Sequence, residues 1–214
     1  NFELYKSINI NDPDAVTGLA YVNPSDTSSY SGETEEGSFI RLEQGTNYYV
    51  SPDLGFIRVR EQVSQDILGC TFSLADRETG EIVFTIGREA DSEGRNLSLM
   101  MLKPRNSYPN HSTWPLMFKN VYYLGTSQIN SEGFEIKIFN KNATPVSERD
   151  KVSSLPYITL FGLDSLDENG SRNYDEVIDK DMANIMNMID GELMFPSFYP
   201  FAKNDSLIGG QKVE

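Results

Sequence analysis

Hydrophobic and polar residues alternate along most of the chain that follows residue 38. Short runs rich in β-branched and aromatic residues recur roughly every ten residues, with turn-forming residues between them. The runs are residues 39–42, 48–50, 55–59, 68–74, 82–86, 97–102, 120–124, 134–139, 157–161 and 193–195. This spacing predicts a mainly β fold, an antiparallel, sandwich-like sheet with at most one short helix.

Each predicted strand has one charged or polar face. Phe134, Ile136 and Ile138 point to one side of their strand, and Glu135 and Lys137 point to the other. A lipid-facing strand would lose about 2–4 kcal/mol for each Lys or Arg at the bilayer midplane. We therefore expect a water-soluble domain.

The pattern divides the chain into three parts. Residues 1–38 are polar and turn-rich, and they predict an extended lead-in with one short strand at 18–22 and then a loop. Residues 39–201 form the predicted β-rich domain, and residues 202–214 form a tail. Residues 174–189 fit either a helix, with Ile178, Met182, Ile185 and Ile189 on one stripe, or two short strands.

Charge and composition argue against nucleic-acid binding and against enzymatic activity. The 214 residues contain 18 Lys and Arg against 32 Asp and Glu, a net charge of -14, which repels nucleic-acid phosphates and anionic lipids. The single cysteine, Cys70, and the single histidine, His111, lie far apart in the sequence, and phosphate-loop and nucleophile-elbow motifs are missing. We expect a protein that is not an enzyme and has no nucleic-acid partner.

An acidic segment at 164–176 has the spacing of a calcium loop. With Gly170 at the sixth loop position, Asp167 and Asn169 fall at the third and fifth. Glu176 falls at the twelfth position, and Ser165 takes the first, where Asp is usual and for which Asp164 would have to substitute. The predicted calcium ligands are Asp167, Asn169, Asp175 and Glu176. The alternative is a solvated acidic turn, and no other cofactor is expected.

Two groups of aromatic residues invite a binding interpretation. One comprises the pairs at 48–49 and 122–123, and the other is the segment Phe-Pro-Ser-Phe-Tyr-Pro-Phe at 195–201. Aromatic side chains stack on sugars or hold a partner segment, but they also fill the core of β-rich proteins. The sequence leaves both interpretations open.

Several blocks resemble the SprA/Sov family, the outer-membrane translocons of type IX secretion and gliding motility in Bacteroidota. Residues 48–57 (Tyr-Tyr-Val-Ser-Pro-Asp-Leu-Gly-Phe-Ile) and 99–103 (Leu-Met-Met-Leu-Lys) are similar to two of its motifs. So are 114–125 (Trp-Pro-Leu-Met-Phe-Lys-Asn-Val-Tyr-Tyr-Leu-Gly), 160–164 (Leu-Phe-Gly-Leu-Asp) and 191–201 (Gly-Glu-Leu-Met-Phe-Pro-Ser-Phe-Tyr-Pro-Phe). The blocks follow the family's order across roughly residues 39–201.

The resemblance implies a part of a giant outer-membrane β-barrel through which folded proteins leave the periplasm. This segment would be a soluble insertion that faces the cell exterior or the periplasm and contacts secreted cargo or accessory translocon subunits. The family carries no catalytic residues to transfer. The rival hypothesis is a free-standing cell-surface carbohydrate-binding or adhesin module with a calcium-stabilised loop.

Overall fold

The computed structural model describes residues 1–9, 12–51, 55–60, 63–90, 97–167 and 169–201, and the backbone of 207–208 and 211–212. The chain divides into two compact units, Asn1–Met117 and Phe118–Glu214. The strands of the first unit are β1 (Phe2–Ile8), β2 (Val16–Tyr21), β3 (Glu35–Arg41), β4 (Tyr48–Ser51), β5 (Phe56–Val59), β6 (Leu68–Ala75), β7 (Ile82–Ile86) and β8 (Leu97–Lys103). Two short 3-10 turns lie at Ser31–Glu33 and Trp114–Leu116.

The second unit has less regular structure. It contains β9 (Val121–Tyr123), the short helix α1 (Tyr157–Leu160), β10 (Met186–Asn187), β11 (Glu192–Met194), β12 (Leu207–Ile208) and β13 (Gln211–Lys212). The mainly β fold class with at most one short helix is confirmed. Every strand predicted between residues 39 and 102 is present, with bounds close to the predicted ones.

The sheet of the first unit closes on itself. Its order is β1-β3-β2-β8-β6-β7, and an additional pairing of β1 with β6 closes the first five of these strands into a ring, with β7 paired to β6 outside it. The β2–β8 pair is parallel, and the other pairs of this sheet are antiparallel. One face buries Tyr5, Ala20, Phe39, Ile67, Leu97, Leu99 and Met101. The other face buries Leu4, Leu68 and Cys70 beneath the β4–β5 hairpin.

The predicted N-terminal lead-in is part of this sheet, and its predicted short strand at 18–22 is present as β2. Residues 1–38 supply β1, β2 and the start of β3, and β1 pairs with both β3 and β6. The sequence pattern did not reveal β1 because the buried face of this strand carries polar groups. Glu3 and Tyr5 are 5% and 6% exposed. The Tyr5 hydroxyl donates a hydrogen bond to the Glu3 carboxylate (2.7 Å), and Arg41 forms an ion pair with the same carboxylate (2.9 Å).

Strands β6 and β8 approach closely at a glycine. A Cβ atom added at Gly69 would lie 2.8 Å from the Leu99 Cβ and 2.9 Å from its Cδ1. Contacts that short do not occur between real side chains, so the position requires glycine. Leu99 is fully buried, and the close approach therefore fixes the packing of the sheet interior.

The second unit has a core but little sheet. Its three-stranded sheet has the order β10-β11-β9, and β12 pairs with β13 within the predicted tail. The core contains Ile158, Leu163, Ile178, Ile185, Met186, Leu193 and Phe195. Residues 134–139 do not form the predicted strand. Their alternation is nevertheless present, because Phe134, Ile136 and Ile138 pack on the core while Glu135 and Lys137 are exposed.

Two other predictions in this unit differ from the structure. Residues 157–161, predicted as a strand, contain α1, which follows Pro156 and buries Ile158 and Thr159. A proline directly before the first turn suits a helix start, because its missing N–H has no helical partner there. Residues 174–189 form turns and the two-residue strand β10, so neither a helix nor two full strands is present.

Candidate functional site

The first half of the predicted calcium loop forms a tight turn around Gly170. The Asp167 carboxylate accepts hydrogen bonds from the N–H groups of Asn169 and Ser171, both at 2.9 Å. The Asp167 N–H donates to the Ser171 carbonyl, and Gly170 takes a positive φ of 73°. Asp167 and Asn169 are thus brought together, with Asp167 holding the turn as an acceptor of backbone N–H groups.

The second half of the loop is held by other contacts. Glu176 forms an ion pair with Arg149, and Asp175 accepts a hydrogen bond from the Val177 N–H at 3.0 Å. Over the described ranges of the chain, no three His, Cys, Asp or Glu side chains group in a way that could hold a metal ion. The structure does not gather the four predicted ligands into one cluster, and calcium binding by them stays a prediction.

Two carboxylates that are not among the four predicted calcium ligands hold the backbone of the acidic segment by hydrogen bonds. Asp164 is fully buried and accepts hydrogen bonds from the Thr159 hydroxyl (2.6 Å) and from the N–H groups of Asp175 and Glu176 (both 3.2 Å). Asp179 accepts the N–H of Ser165 at 2.8 Å from the opposite end. We call these two carboxylates the acidic clamp. In the sequence, the one indication that Asp164 is buried is its position directly after an apolar run.

Cys70 and His111 are both buried. Burial raises the pKa of the Cys70 thiol to about 12, which leaves it protonated and a poor nucleophile near neutral pH. The His111 Nδ1 accepts the Thr113 N–H at 3.1 Å, and its ring packs edge-on against Tyr108. Both side chains are therefore packed within the first unit.

Aromatic rings of the second unit form a partly exposed group. Tyr122, Phe161, Phe195 and Phe201 make edge-to-face contacts with centroid distances from 5.2 to 5.8 Å. We call them the aromatic cluster. Phe195 is buried at 4% exposure, whereas Phe201 is 56% exposed. The predicted aromatic segment therefore both fills the core and reaches the surface.

Of the two predicted tyrosine pairs, the one at 48–49 is split between core and surface, and the one at 122–123 is exposed at both residues. Tyr48 is 2% exposed and stacks edge-on with Phe2 at 5.9 Å, whereas Tyr49 is 53% exposed. Tyr123 is exposed beside the aromatic cluster residue Tyr122, which donates its hydroxyl hydrogen bond to the Lys119 carbonyl at 2.8 Å. In the pair at 48–49, successive residues of one strand thus face opposite environments.

A second apolar surface lies on the first unit. Ile82, Val83 and Phe84 of β7 are exposed, as is Leu74 of its partner strand β6. Next to these strands, a cavity of about 300 Å³ is lined by Phe2, Val50 and Phe72, among others. The sequence predicted a strand at 82–86 but not that three consecutive apolar side chains of this strand would be exposed.

No family model matches the chain, and no curated protein matches it significantly. No helix in the described parts of the chain is long and apolar enough to cross a membrane.

Proposed function

We propose that this chain is a non-enzymatic, β-rich domain of a type IX secretion translocon of the SprA/Sov kind. It belongs to the outer membrane of the cell envelope, lies outside the bilayer and faces the cell exterior or the periplasm. It contacts secreted cargo proteins or accessory subunits through its surfaces. The observation that carries the proposal is the ordered series of family-like blocks across residues 39–201.

The positions of these blocks in the fold support the proposal. Block 99–103 lies within β8, and block 160–164 ends in the buried residues Leu163 and Asp164. Buried positions are the ones at which sequence is most constrained by packing. At these buried positions, a resemblance is what shared structure would produce.

Two blocks distant in sequence are directly hydrogen-bonded. The Asn120 side-chain Nδ2 of block 114–125 donates to the Phe195 carbonyl of block 191–201 at 2.9 Å. The Phe195 N–H donates in return to the Asn120 carbonyl at 2.7 Å. The Lys-Asn pair at 119–120 is among the more specific parts of the resemblance, and its asparagine has a structural role that Asp or Gln would not reproduce.

The surface properties fit action by contact. A net charge of -14 keeps nonspecific acidic proteins apart, and exposed aromatic side chains offer sites for specific contacts. Tyr123, Phe198 and Tyr199 are 63%, 66% and 64% exposed. Large aromatic side chains of this kind dominate the energetics of protein interfaces.

The test is made in the parent protein. Deleting residues 1–201, which include β1 and β2 of the same sheet, should stop the export of cargo into the medium while the parent chain still reaches the outer membrane. The paired substitution Phe198→Ser with Tyr199→Ser should reduce export, and Val152→Ser, at a valine that is 94% exposed, is the matched control. Normal secretion by the deletion strain, together with glycan binding by the isolated chain, would establish the carbohydrate-binding or adhesin alternative instead.

A further inference from the structure

We propose that the open edge of β7 is a docking site for an extended, cationic segment of a partner polypeptide, which adds a strand to the sheet. This inference rests on the first unit alone. It does not depend on the translocon assignment, although cargo or an accessory subunit would supply such a segment there.

The backbone of β7 has one edge available for pairing. Its residues 82–86 pair with β6 on one side, and no strand that the structure describes pairs with the other side. Ser73 exchanges hydrogen bonds with Asn1, so its N–H and carbonyl point away from β7. Its cross-strand partner Thr85 consequently directs its own N–H and carbonyl to the open edge.

The side chains at this edge are apolar and exposed. Ile82 is 68% exposed, Val83 is 67% exposed and Phe84 is 46% exposed. Natural edge strands usually carry lysine, proline or inward-pointing charges that prevent pairing with other chains. β7 contains neither lysine nor proline, and an added strand would cover the apolar side chains on both of its faces.

The charges near β7 determine which partner fits. The turn that precedes it carries Asp76, Glu78 and Glu81 against the single cation Arg77, and all four are exposed. A second copy would bring the same carboxylates and a net charge of -14, so self-pairing is disfavoured. A segment with alternating apolar residues and lysines near the turn complements both the apolar face and the acidic end.

A synthetic peptide of the sequence Val-Thr-Val-Thr-Val-Lys-Lys, acetylated and amidated, is the probe, because antiparallel pairing with β7 places its two lysines beside the acidic turn. Calorimetry on the whole chain should detect binding, and hydrogen exchange should show added protection at Thr85. A peptide with Glu in place of both Lys residues should bind a few-fold more weakly, and this difference should shrink at high salt.

The decisive variant is Thr85→Pro, which removes the edge N–H while the β6 ladder keeps its bonds. It should weaken peptide binding about tenfold. Thr85→Ser, which keeps the N–H, should bind within about twofold of the unaltered chain. Unchanged melting temperatures show that the variants are folded.

Three outcomes would overturn the proposal. One is no binding of the probe at millimolar concentration, and another is equal binding by the Thr85→Pro variant. The third is a concentration-dependent dimer in sedimentation that Thr85→Pro abolishes while the peptide has no effect, which would assign the edge to a second copy.

Discussion

The two compact units satisfy their backbone polar groups in different ways. In Asn1–Met117 a six-stranded sheet pairs the backbone of its strands through long ladders. In Phe118–Glu214 the described ladders are only two or three residue pairs long, and Asp150, Asp164, Asp167 and Asp179 each accept backbone N–H groups. Every buried N–H needs a partner, and the two units therefore place different demands on the sequence.

This difference predicts where each unit tolerates substitution. A ladder is made by the backbone, so it survives most side-chain changes that leave the packing intact. A loop held by one carboxylate depends on that residue alone, because its removal leaves several donors unpaired at once. The second unit should be vulnerable at a few acids, and the first at its tightly packed interior.

The largest expected effect is at the acidic clamp of the second unit. Asp164→Ala removes the acceptor for Thr159 and for two backbone N–H groups, and all of them lie at a fully buried carboxylate. We expect the free energy of unfolding to fall by about 3 kcal/mol. Urea unfolding followed by circular dichroism measures it.

Asp167→Ala is the control for this prediction. Asp167 also accepts two backbone N–H groups, but both belong to an exposed turn whose donors can bind water instead. Its loss should cost less than about 1 kcal/mol. Equal effects of the two substitutions would show that burial of the carboxylate does not control the stability of this segment.

The next effect is in the interior of the first unit. Gly69→Ala places a methyl group within 3 Å of Leu99 and should cost about 1–3 kcal/mol through forced repacking. Gly32→Ala is the control, because nothing lies within 4 Å of its added Cβ. Its unfolding free energy should change by less than about 0.5 kcal/mol. A neutral Gly69→Ala would contradict the tight packing of β6 on β8.

The same contrast explains what could be predicted from sequence. Strand β6 was predicted because its apolar residues alternate, and β8 because it is a short, mostly apolar run. β1 was missed because Glu3 and Tyr5 look exposed until Arg41, far along the chain, is placed beside them. A pattern reports which side chains are apolar and carries no information about distant partners.

In the second unit the pattern predicted burial better than it predicted hydrogen bonding. Residues 134–139 bury the predicted face without forming a strand, because a ladder also requires a neighbouring strand in register. The acidic spacing at 164–176 suggested calcium ligands. Sequence alone does not tell which acids are buried, and Asp164, outside the predicted set, is the fully buried one.

A smaller effect is expected on folding stability at low pH, where two aspartates become protonated. Hydrogen bonds from the Ser153 N–H lower the pKa of Asp150 in the second unit, and those from the Thr79 N–H lower the pKa of Asp76 in the first. Because both folded-state pKa values lie below the unfolded ones, this stabilisation is complete above about pH 4. It is lost as the pH falls through the folded-state values.

Asp150→Asn and Asp76→Asn measure these two contributions. Each substitution removes a titrating carboxylate and should therefore reduce the slope of stability against pH between about pH 4 and pH 2. Melting temperatures taken across this range provide the measurement. Identical slopes for the substituted and unaltered chains would show that these turns do not couple to folding.

The smallest expected change concerns the thiol of the first unit. Burial raises the pKa of Cys70 to about 12, so near pH 8 only about one thiol in ten thousand is ionised. Native protein incubated with iodoacetamide should remain unmodified by mass spectrometry, whereas the urea-unfolded chain should react fully. Because Cys70 is the single cysteine and lies beneath the β4–β5 hairpin, any labelling reports opening of the first unit. Gly69→Ala should increase this slow labelling, whereas Gly32→Ala should not. Rapid labelling of the unaltered chain would contradict the closed sheet of the first unit, on which the comparison of the two units rests.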